Sequence, residues 1–147
     1  MAGLPERISF HVEGVGGVLF CHGSPRSDME ILTVATPEER LREALAGVKE
    51  DVVVCGHTHM QFDRVCEGKR VVNAGSVGMP YGDPGAYWLL LGPNVSLRKT
   101  SYDLEGAAEL VRKSGYPLAQ DFAENTILKP ETAQEAIAYF ESMAVKD

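Results

Sequence analysis

One stretch of the chain decides its fold: Val52-Val53-Val54-Cys55-Gly56-His57-Thr58-His59. Its first four residues are apolar without polar alternation, which is typical of a strand buried on both faces. The segment Gly17-Val18-Leu19-Phe20-Cys21 has the same character and is followed directly by His22. Such strands, mixed with helices, predict an α/β (α+β) layered domain.

The segments around these two strands also carry clear periodicities. Arg7 to Glu13 alternates apolar and polar residues, which predicts a strand with one buried face. Thr36-Pro37-Glu38-Glu39 predicts a capping box with Thr36 at the N-cap, and the helix behind it repeats apolar residues at helical spacing. Further strands are predicted at Gln61 to Cys66, Lys69 to Asn73, Ala86 to Leu91 and Val95 to Tyr102, with helices near Leu104–Val111 and Ala133–Met143.

Length and composition exclude several classes of protein. The 147 residues fit one domain, and 44% hydrophobic residues are enough for a real core. A net charge of −7 without a Lys/Arg cluster argues against a nucleic-acid scaffold. The apolar runs are too short to cross a bilayer, so no membrane association is expected. No charged-then-apolar leader opens the chain, so secretion is not expected. Cys21, Cys55 and Cys66 suit buried thiols in a reducing compartment, which predicts a cytoplasmic protein.

Three histidines are predicted to share one rim of the sheet. On an extended segment His57 and His59 would point the same way, with Thr58 turned inward. Both follow a buried strand, and His22 follows the other, so two adjacent strands would deliver three imidazoles to the edge where α/β sheets bind ligands. A lone His-x-His is more often exposed or hydrogen-bonded, but this setting favours metal ligation. His11 lies in the amphipathic strand and is interpreted as structural.

Three motifs in order resemble a known family. They are Cys21-His22-Gly23-Ser24-Pro25, Gly56-His57-Thr58-His59 and Asn73-Ala74-Gly75-Ser76-Val77-Gly78, and together they resemble the calcineurin-like metallophosphoesterases, in particular the small predicted phosphodiesterases. The loop Met79 to Gly85 is similar too, and the resemblance runs from about Leu4 to Tyr102. We therefore expect one partial family domain over 1–147, with the motifs in 1–102 and C-terminal helices in 103–147.

The resemblance implies a metal-dependent hydrolase with a two-metal site at the rim of a β-sandwich flanked by helices. His22 and His57 would bind one metal and His59 the other, with manganese, iron, zinc or nickel as the divalent ion. The family hydrolyses small phosphomonoesters or phosphodiesters by attack of water on phosphorus between two metals. Arg26 could contact a substrate phosphate, no catalytic residue is assigned, and the remaining residues expected to shape the site are Gly23, Ser24, Gly56, Thr58, Asn73, Gly75 and Ser76.

The sequence departs from the family in its acidic and amide ligands. No D-x-H or G-N-H motif occurs, and the only Gly-Asp, Gly82-Asp83, lies after the G-H-T-H motif. Three neutral imidazoles bring no negative charge, yet two divalent ions repel strongly unless a carboxylate lies between them. Asp28 or Asp83 could help, although each is more simply a solvated carboxylate. The chain is therefore interpreted as the C-terminal portion of the family domain, inactive or nearly so alone.

Two other functions stay open on the sequence. The family includes a retromer subunit that uses the fold as a non-catalytic protein-interaction scaffold, and the missing ligands favour this alternative while the intact histidine motifs disfavour it. A mononuclear metal hydrolase is the other, without an evident general base. If half of the sandwich is absent, the sheet has an unpaired edge, which a homodimer could close.

Overall fold

The structure is a computed structural model that describes residue 3 and residues 5–144. Within that part of the chain, seven strands and a set of helices follow one another. The strands are β1 (Arg7–Val12), β2 (Gly16–Cys21), β3 (Val52–Cys55), β4 (Phe62–Cys66), β5 (Lys69–Asn73), β6 (Ala86–Leu91) and β7 (Val95–Thr100). The helices are α1 (Glu38–Ala44), α2 (Leu104–Arg112), α3 (Ala119–Phe122), a π-helical segment (Ala123–Leu128) and α4 (Ala133–Ala144).

Five strands form one mixed sheet in the order β1-β2-β3-β5-β4. The three central strands run parallel, and the two outer strands pair antiparallel with their neighbours. All four residues of β3 are buried, as their unbroken apolar pattern predicts for a strand covered on both faces. The α/β class expected from the sequence is confirmed.

The two faces of this sheet are covered by different layers. One face packs against α1, with Leu41 of the helix among the strand residues Leu19, Val53 and Val71. The other face carries valines of the central strands and packs against a two-stranded ribbon formed by β6 and β7. The molecule is thus a small sandwich of two sheets with a helix on its outer face.

The start of α1 differs from the predicted capping box. Helix α1 begins after Pro37, and no side chain caps it. The Thr36 hydroxyl instead accepts the backbone N–H of Thr33 at 2.8 Å and donates to the Glu141 carboxylate at 3.1 Å. Arg40 also reaches Glu141, at 2.7 Å. Because Glu141 lies on α4, Thr36 and Arg40 tie the C-terminal helix to the domain, and Thr36 does not cap its own helix.

Strand β1 is more exposed than its alternating pattern predicts. Ile8 and Phe10 lie on the same sheet face as Phe20, but they are 44% and 54% exposed. The expectation of one buried face is wrong because β1 is an edge strand and the β6–β7 ribbon packs mainly on the central strands. An apolar part of the sheet face is therefore uncovered at this edge.

The C-terminal helices form two separate clusters. Ala108, Ala123 and Ile127 bury one another between α2 and the π-helical segment. Phe140 of α4 packs with Ile31 and with Tyr81. Helix α4 thereby packs against the loop that follows His22 and the loop whose Met79 carbonyl contacts His59.

Cys55 and Cys66 are buried, as the sequence predicts, whereas Cys21 is only partly buried. Cys21, Cys55 and Cys66 are free thiols, and burial raises the pKa of Cys21 to about 11. A thiol with a raised pKa stays protonated and is a poor metal ligand. None of the helices in the described residues is long and apolar enough to cross a membrane.

The core under α1 predicts a large stability loss for one leucine. Leu41 is 1% exposed, so Leu41→Ala should lower the free energy of unfolding by about 2 to 5 kcal/mol through lost burial and a residual cavity. Leu110→Ala is the matched control: its side chain is 73% exposed on α2, and the expected change is within about 0.5 kcal/mol. Urea unfolding of both variants measures the difference, and equal losses would contradict the packing described.

Candidate metal centre

The parallel pairing of β2 with β3 brings His22 and His57 together. Phe20 lies opposite Val54 in the ladder, so the two strands end at the same edge. The Gly56 N–H donates to the His22 carbonyl at 2.8 Å and continues the pairing one step past the strands. The imidazoles then meet, with His57 Nδ1 3.2 Å from His22 Nε2. The prediction that adjacent strands deliver these two side chains to one rim is met in the geometry.

The segment behind β3 is a tight turn and not the extended chain predicted. The backbone φ is 61° at His57 and 59° at His59, which is the left-handed region. The Thr58 N–H turns back to the Gly56 carbonyl at 2.7 Å, so regular strand geometry ends at Cys55. Non-glycine residues in this region cost of order 1 kcal/mol or more each and persist only where surrounding contacts enforce them. Residues in this conformation cluster at active and binding sites, so the two in this turn agree with the candidate site.

Buried polar contacts enforce this turn. Thr58 is fully buried and donates its hydroxyl to the Leu32 carbonyl at 2.9 Å, as the inward direction predicted for it requires. Asn73, also fully buried, donates Nδ2 to the Gly56 carbonyl at 2.5 Å and to the Thr58 hydroxyl at 3.1 Å. Its Oδ1 accepts the Gly75 N–H at 2.8 Å. Asn73 therefore links the G-H-T-H turn to the loop that follows β5.

His59 faces a different partner from His57. Its Nδ1 lies 3.0 Å from the Met79 carbonyl, and since a carbonyl oxygen can only accept, Nδ1 carries the proton of that hydrogen bond. Nε2 is then the unprotonated nitrogen of the neutral ring. A backbone carbonyl on one ring nitrogen is the usual support of a metal-ligating histidine. The Tyr81 ring lies beside the imidazole at a centroid distance of 6.3 Å.

The Asn73–Gly78 loop is shaped by a glycine and a serine. Gly75 has φ of +80°, and a Cβ there would lie 2.7 Å from the Tyr87 Cβ, so only glycine fits. The Ser76 hydroxyl accepts the Met79 N–H at 3.0 Å, and its carbonyl accepts the Tyr87 N–H at 3.0 Å. These bonds hold the Met79 carbonyl where it meets His59.

The loop after His22 is held by Ser24 and Glu30. The Ser24 hydroxyl donates to the Glu30 carboxylate and accepts the Arg26 N–H at 3.2 Å. A Cβ on Gly23 would lie 2.6 Å from the Asp28 carbonyl, so the loop needs glycine for close approach. Arg26 binds Glu30 through Nε at 2.9 Å and Nη2 at 2.5 Å. Its charge is already balanced there, which weakens the hypothesis of a phosphate contact.

The distance between the two imidazole nitrogens matches both a hydrogen bond between the rings and the spacing of two ligands on one metal ion. Two nitrogens each roughly 2.1 Å from an ion, at octahedral or tetrahedral angles, are about 3.0 to 3.4 Å apart. The observed 3.2 Å between His22 and His57 lies in that range. Within the described part of the chain, no group of three or more His, Cys, Asp and Glu side chains is arranged to hold a metal. His22 and His57 are therefore close enough to share one ion, while His59 is held separately by the Met79 carbonyl.

Burial and neighbouring rings shape the titration of His57. Burial is the largest cause that lowers the pKa of His57 below its usual value, and His22 and His59 lower it further. The Asp28 charge and a hydrogen bond to the Met29 backbone oppose this shift. A lowered pKa keeps the ring neutral near pH 7, which is the form that binds a metal.

The two acids considered from the sequence are placed differently. Asp28 is close enough to act on His57 through its charge and is exposed. The Asp83 side chain is 81% exposed and is paired with Lys99, which already satisfies it. Asp28 is thus the acidic neighbour of the histidines, and Asp83 belongs to the adjacent loop.

Several groups that form the site could not be predicted from the sequence motifs. The carbonyls of Leu32 and Met79 hold Thr58 and His59. Every residue has a backbone carbonyl, so the residue type does not reveal these contacts. Tyr81 lies in a loop whose similarity to the family was visible, although no role could be assigned to it. Glu30 pairs with Ser24 and Arg26, and its i,i+4 spacing from Arg26 was the one available signal.

Comparisons with known proteins show the family and the fold of this chain. The family model described as the calcineurin-like phosphoesterase superfamily domain matches residues 1–92. A hypothetical protein of Pyrococcus horikoshii OT3 is similar in structure, with a TM-score of 0.70 and 19% identity over 88% of this chain and 53% of its own. A metallophosphoesterase of Sphaerobacter thermophilus gives a TM-score of 0.63 and 21% identity over 83% of this chain and 58% of its own. No curated protein matches.

The chain belongs to the calcineurin-like phosphoesterase superfamily, because the family model covers more than half of it. The family resemblance read from the three motifs is confirmed at this level. At the identities found, the two structures show a shared fold only. The chain spans a little over half the length of each of them.

The buried amide predicts a strong effect of one substitution. Asn73→Ala removes the hydrogen bonds to Gly56, Thr58 and Gly75 inside a closed environment, so the free energy of unfolding should fall by about 3 kcal/mol. Asn125→Ala, on an exposed position that bonds only Asp121, should cost less than about 1 kcal/mol. Urea unfolding compares them, and a small loss at Asn73 would show that the turn does not depend on its amide.

The lowered pKa of His57 gives a signed pH dependence. Stability that depends on neutral His57 is complete above its unfolded pKa of about 6.5 and is lost as pH falls through the lower folded pKa. His22→Ala removes a repelling ring and lets in water, so the pKa of His57 should rise. His11→Ala, on strand β1, should leave that titration curve unchanged. NMR titration of the imidazole signals measures both, and a raised His57 pKa in the unmodified chain would refute the prediction.

Proposed function

We propose that this chain carries part of a two-metal phosphoesterase centre that hydrolyses small phosphate esters. His22 and His57 would bind one divalent ion, and His59 would bind the other. The observation that carries the proposal is the 3.2 Å approach of two imidazole nitrogens at the edge where parallel strands end. Membership of the phosphoesterase superfamily supplies the class of reaction.

Hydrogen bonds and buried neighbours fix the orientation of the histidine rings, as is usual for metal ligands. His59 donates through Nδ1 to a backbone carbonyl, which leaves Nε2 for an ion. The strained backbone at His57 and His59 is held by buried Thr58 and Asn73, so the rings are oriented before any ion arrives. When bound, divalent ions in such a centre activate water and neutralise charge on the phosphoryl group. This chain's own residues contribute orientation and neutral nitrogen ligands.

The proposed two-metal activity needs a carboxylate ligand between the ions, and the family motifs that supply it do not occur in these 147 residues. Three imidazoles are neutral, whereas two divalent ions close together need a carboxylate between them. Asp28 is near but exposed, and Asp83 is paired with Lys99. We therefore propose that the chain by itself binds one ion weakly and has little or no hydrolytic activity. On this proposal it corresponds to the C-terminal portion of the family domain.

The uncovered edge of the sheet supports the same interpretation. Ile8 and Phe10 of β1 present apolar side chains that the β6–β7 ribbon does not bury. In a complete sandwich such a face would be covered. The two structures compared above are longer than this chain, which matches 53% and 58% of their lengths, and they share its fold. Further polypeptide of the family domain, or a second copy forming a homodimer, is what we propose covers this edge.

Metal content and turnover test the proposed function. The purified chain, loaded with manganese, should hold at most one ion per chain by elemental analysis. It should hydrolyse bis-p-nitrophenyl phosphate and p-nitrophenyl phosphate at a rate near that of buffer. His57→Ala should lose the bound ion, because one imidazole alone is a weak ligand. His11→Ala is the matched control, since His11 lies on β1 opposite Gly17 and away from the centre.

Two results would contradict this proposal. Two ions per chain with robust turnover would show that the centre is complete within these residues. Unchanged metal content in His57→Ala would remove His57 as a ligand. No metal binding in the unmodified chain would favour the alternative of a non-catalytic scaffold built on the phosphoesterase fold.

A further inference from the structure

A small cavity lies directly beside His59 and has no role in holding the ion. Its volume is about 230 Å³, and it is lined by His59, Met60, Gln61, Tyr81, Asp83 and Tyr87 together with Gly82 and Ala133. It is bounded by the loop after the N-A-G-S motif, by the segment that leads into β4 and by the start of α4. A molecule in this space would be in contact with a proposed metal ligand.

We propose that this cavity receives a planar aromatic ester group of the substrate, so that the preferred substrates are phosphate esters of an aromatic or nucleoside-type alcohol. The inference rests on the proposed function, in which an ion on His59 would hold the phosphate, and His59 also lines the cavity. The inference adds to the proposed function the kind of alcohol that is esterified to the phosphate, which the histidine motifs do not specify.

The chemistry of the walls favours an uncharged ring over a phosphate. Tyr81, Tyr87 and Met60 supply aromatic and thioether surface, on which planar rings pack well. Among the described residues that line the cavity, none is Lys or Arg. The nearby cation Lys99 is paired with Asp83 and lies 5.4 Å from the centroid of the Tyr87 ring. A dianionic group would find no free positive charge there.

The size of the cavity limits what it can hold. Pockets that enclose a whole drug-sized ligand have volumes of roughly 300 Å³ or more. At about 230 Å³ this cavity fits a single ring system, with the rest of the ester outside. Gln61 and Asp83 also line it, but Gln61 Nε2 already donates to the carbonyls of Ala74, Trp88 and Arg98, and Asp83 is paired with Lys99. These features match one aromatic substituent and not a polymer.

The walls are held in place without a ligand. The Tyr81 ring packs edge-on against Phe140 of α4 at 5.8 Å between centroids. The Gly82 N–H donates to the Glu131 carbonyl at 2.7 Å, and the Tyr87 hydroxyl donates to the Asp83 carbonyl at 2.7 Å. A preformed cleft loses little conformational entropy when it binds. The position of Tyr81 between His59 and α4 therefore suits a fixed stacking surface.

The test is binding of defined phosphate esters to the intact 147-residue chain, followed by NMR without added metal. Adenosine 5′-monophosphate, phenyl phosphate, ribose 5-phosphate and inorganic phosphate are titrated to millimolar concentration. The two aromatic esters should shift signals of Tyr81, Tyr87 and Met60 and bind about tenfold more tightly than ribose 5-phosphate, as one stacked ring provides. The ratio of the nucleotide to phenyl phosphate distinguishes a nucleobase site from a general aryl site.

Variants locate the effect. Tyr81→Leu keeps apolar bulk against Phe140 but removes the ring, so the tenfold preference for aromatic esters should disappear. Tyr139→Ala is the control, because Tyr139 also packs on Phe140, at 5.8 Å, yet is 59% exposed and lies outside the cavity. It should leave the preference unchanged.

Three outcomes would overturn the inference: equal binding of aromatic and non-aromatic esters, no binding of any ester, or an equal effect of Tyr81→Leu and Tyr139→Ala. Shifts in unmodified protein test the cavity even if Tyr81→Leu folds poorly. Because binding is measured without metal or turnover, failure here is distinct from failure of the proposed hydrolysis.

Discussion

The parallel pairing of β2 with β3 is the constraint on which the rest of the structure depends. It aligns Phe20 with Val54, so that the residues after both strands emerge at the same edge. The contact between the imidazoles of His22 and His57 follows from that register. A shift by one residue would turn the buried side chains to the opposite face and separate the rings. The apolar strands therefore determine both the core and the geometry of the candidate centre.

Buried polar groups are the second determinant of the geometry around the histidines. Strand pairing ends at Cys55, and beyond it the chain takes two left-handed steps that a strand would not contain. Asn73 and Thr58 are fully buried and satisfied, so their hydrogen bonds act in surroundings where an unpaired group would be costly. The same asparagine holds the loop that leads to Met79 and so to His59. Orientation of two histidines thus depends on one buried amide.

Much of this arrangement was predictable, and the exceptions have physical causes. The doubly buried strands, the position of His22 beside His57 and the inward direction of Thr58 follow from apolar pattern and spacing. The left-handed turn was not predictable, because it depends on a carbonyl of Leu32 that is distant in sequence. Thr36 fits a local capping motif, but bonds to α4 prevail over it. The exposure of β1 depends on which strands the ribbon covers, which no local pattern encodes.

The central claim is that His22 and His57 share one ion and that the chain holds no carboxylate-bridged pair. X-ray absorption spectroscopy of the zinc-loaded chain tests this most directly. The account predicts two imidazole nitrogens at about 2.0 to 2.1 Å, oxygen ligands in the remaining positions, and no metal–metal scattering. Scattering from a second metal at roughly 3.5 to 4 Å, or sulfur in the first coordination shell, would contradict it.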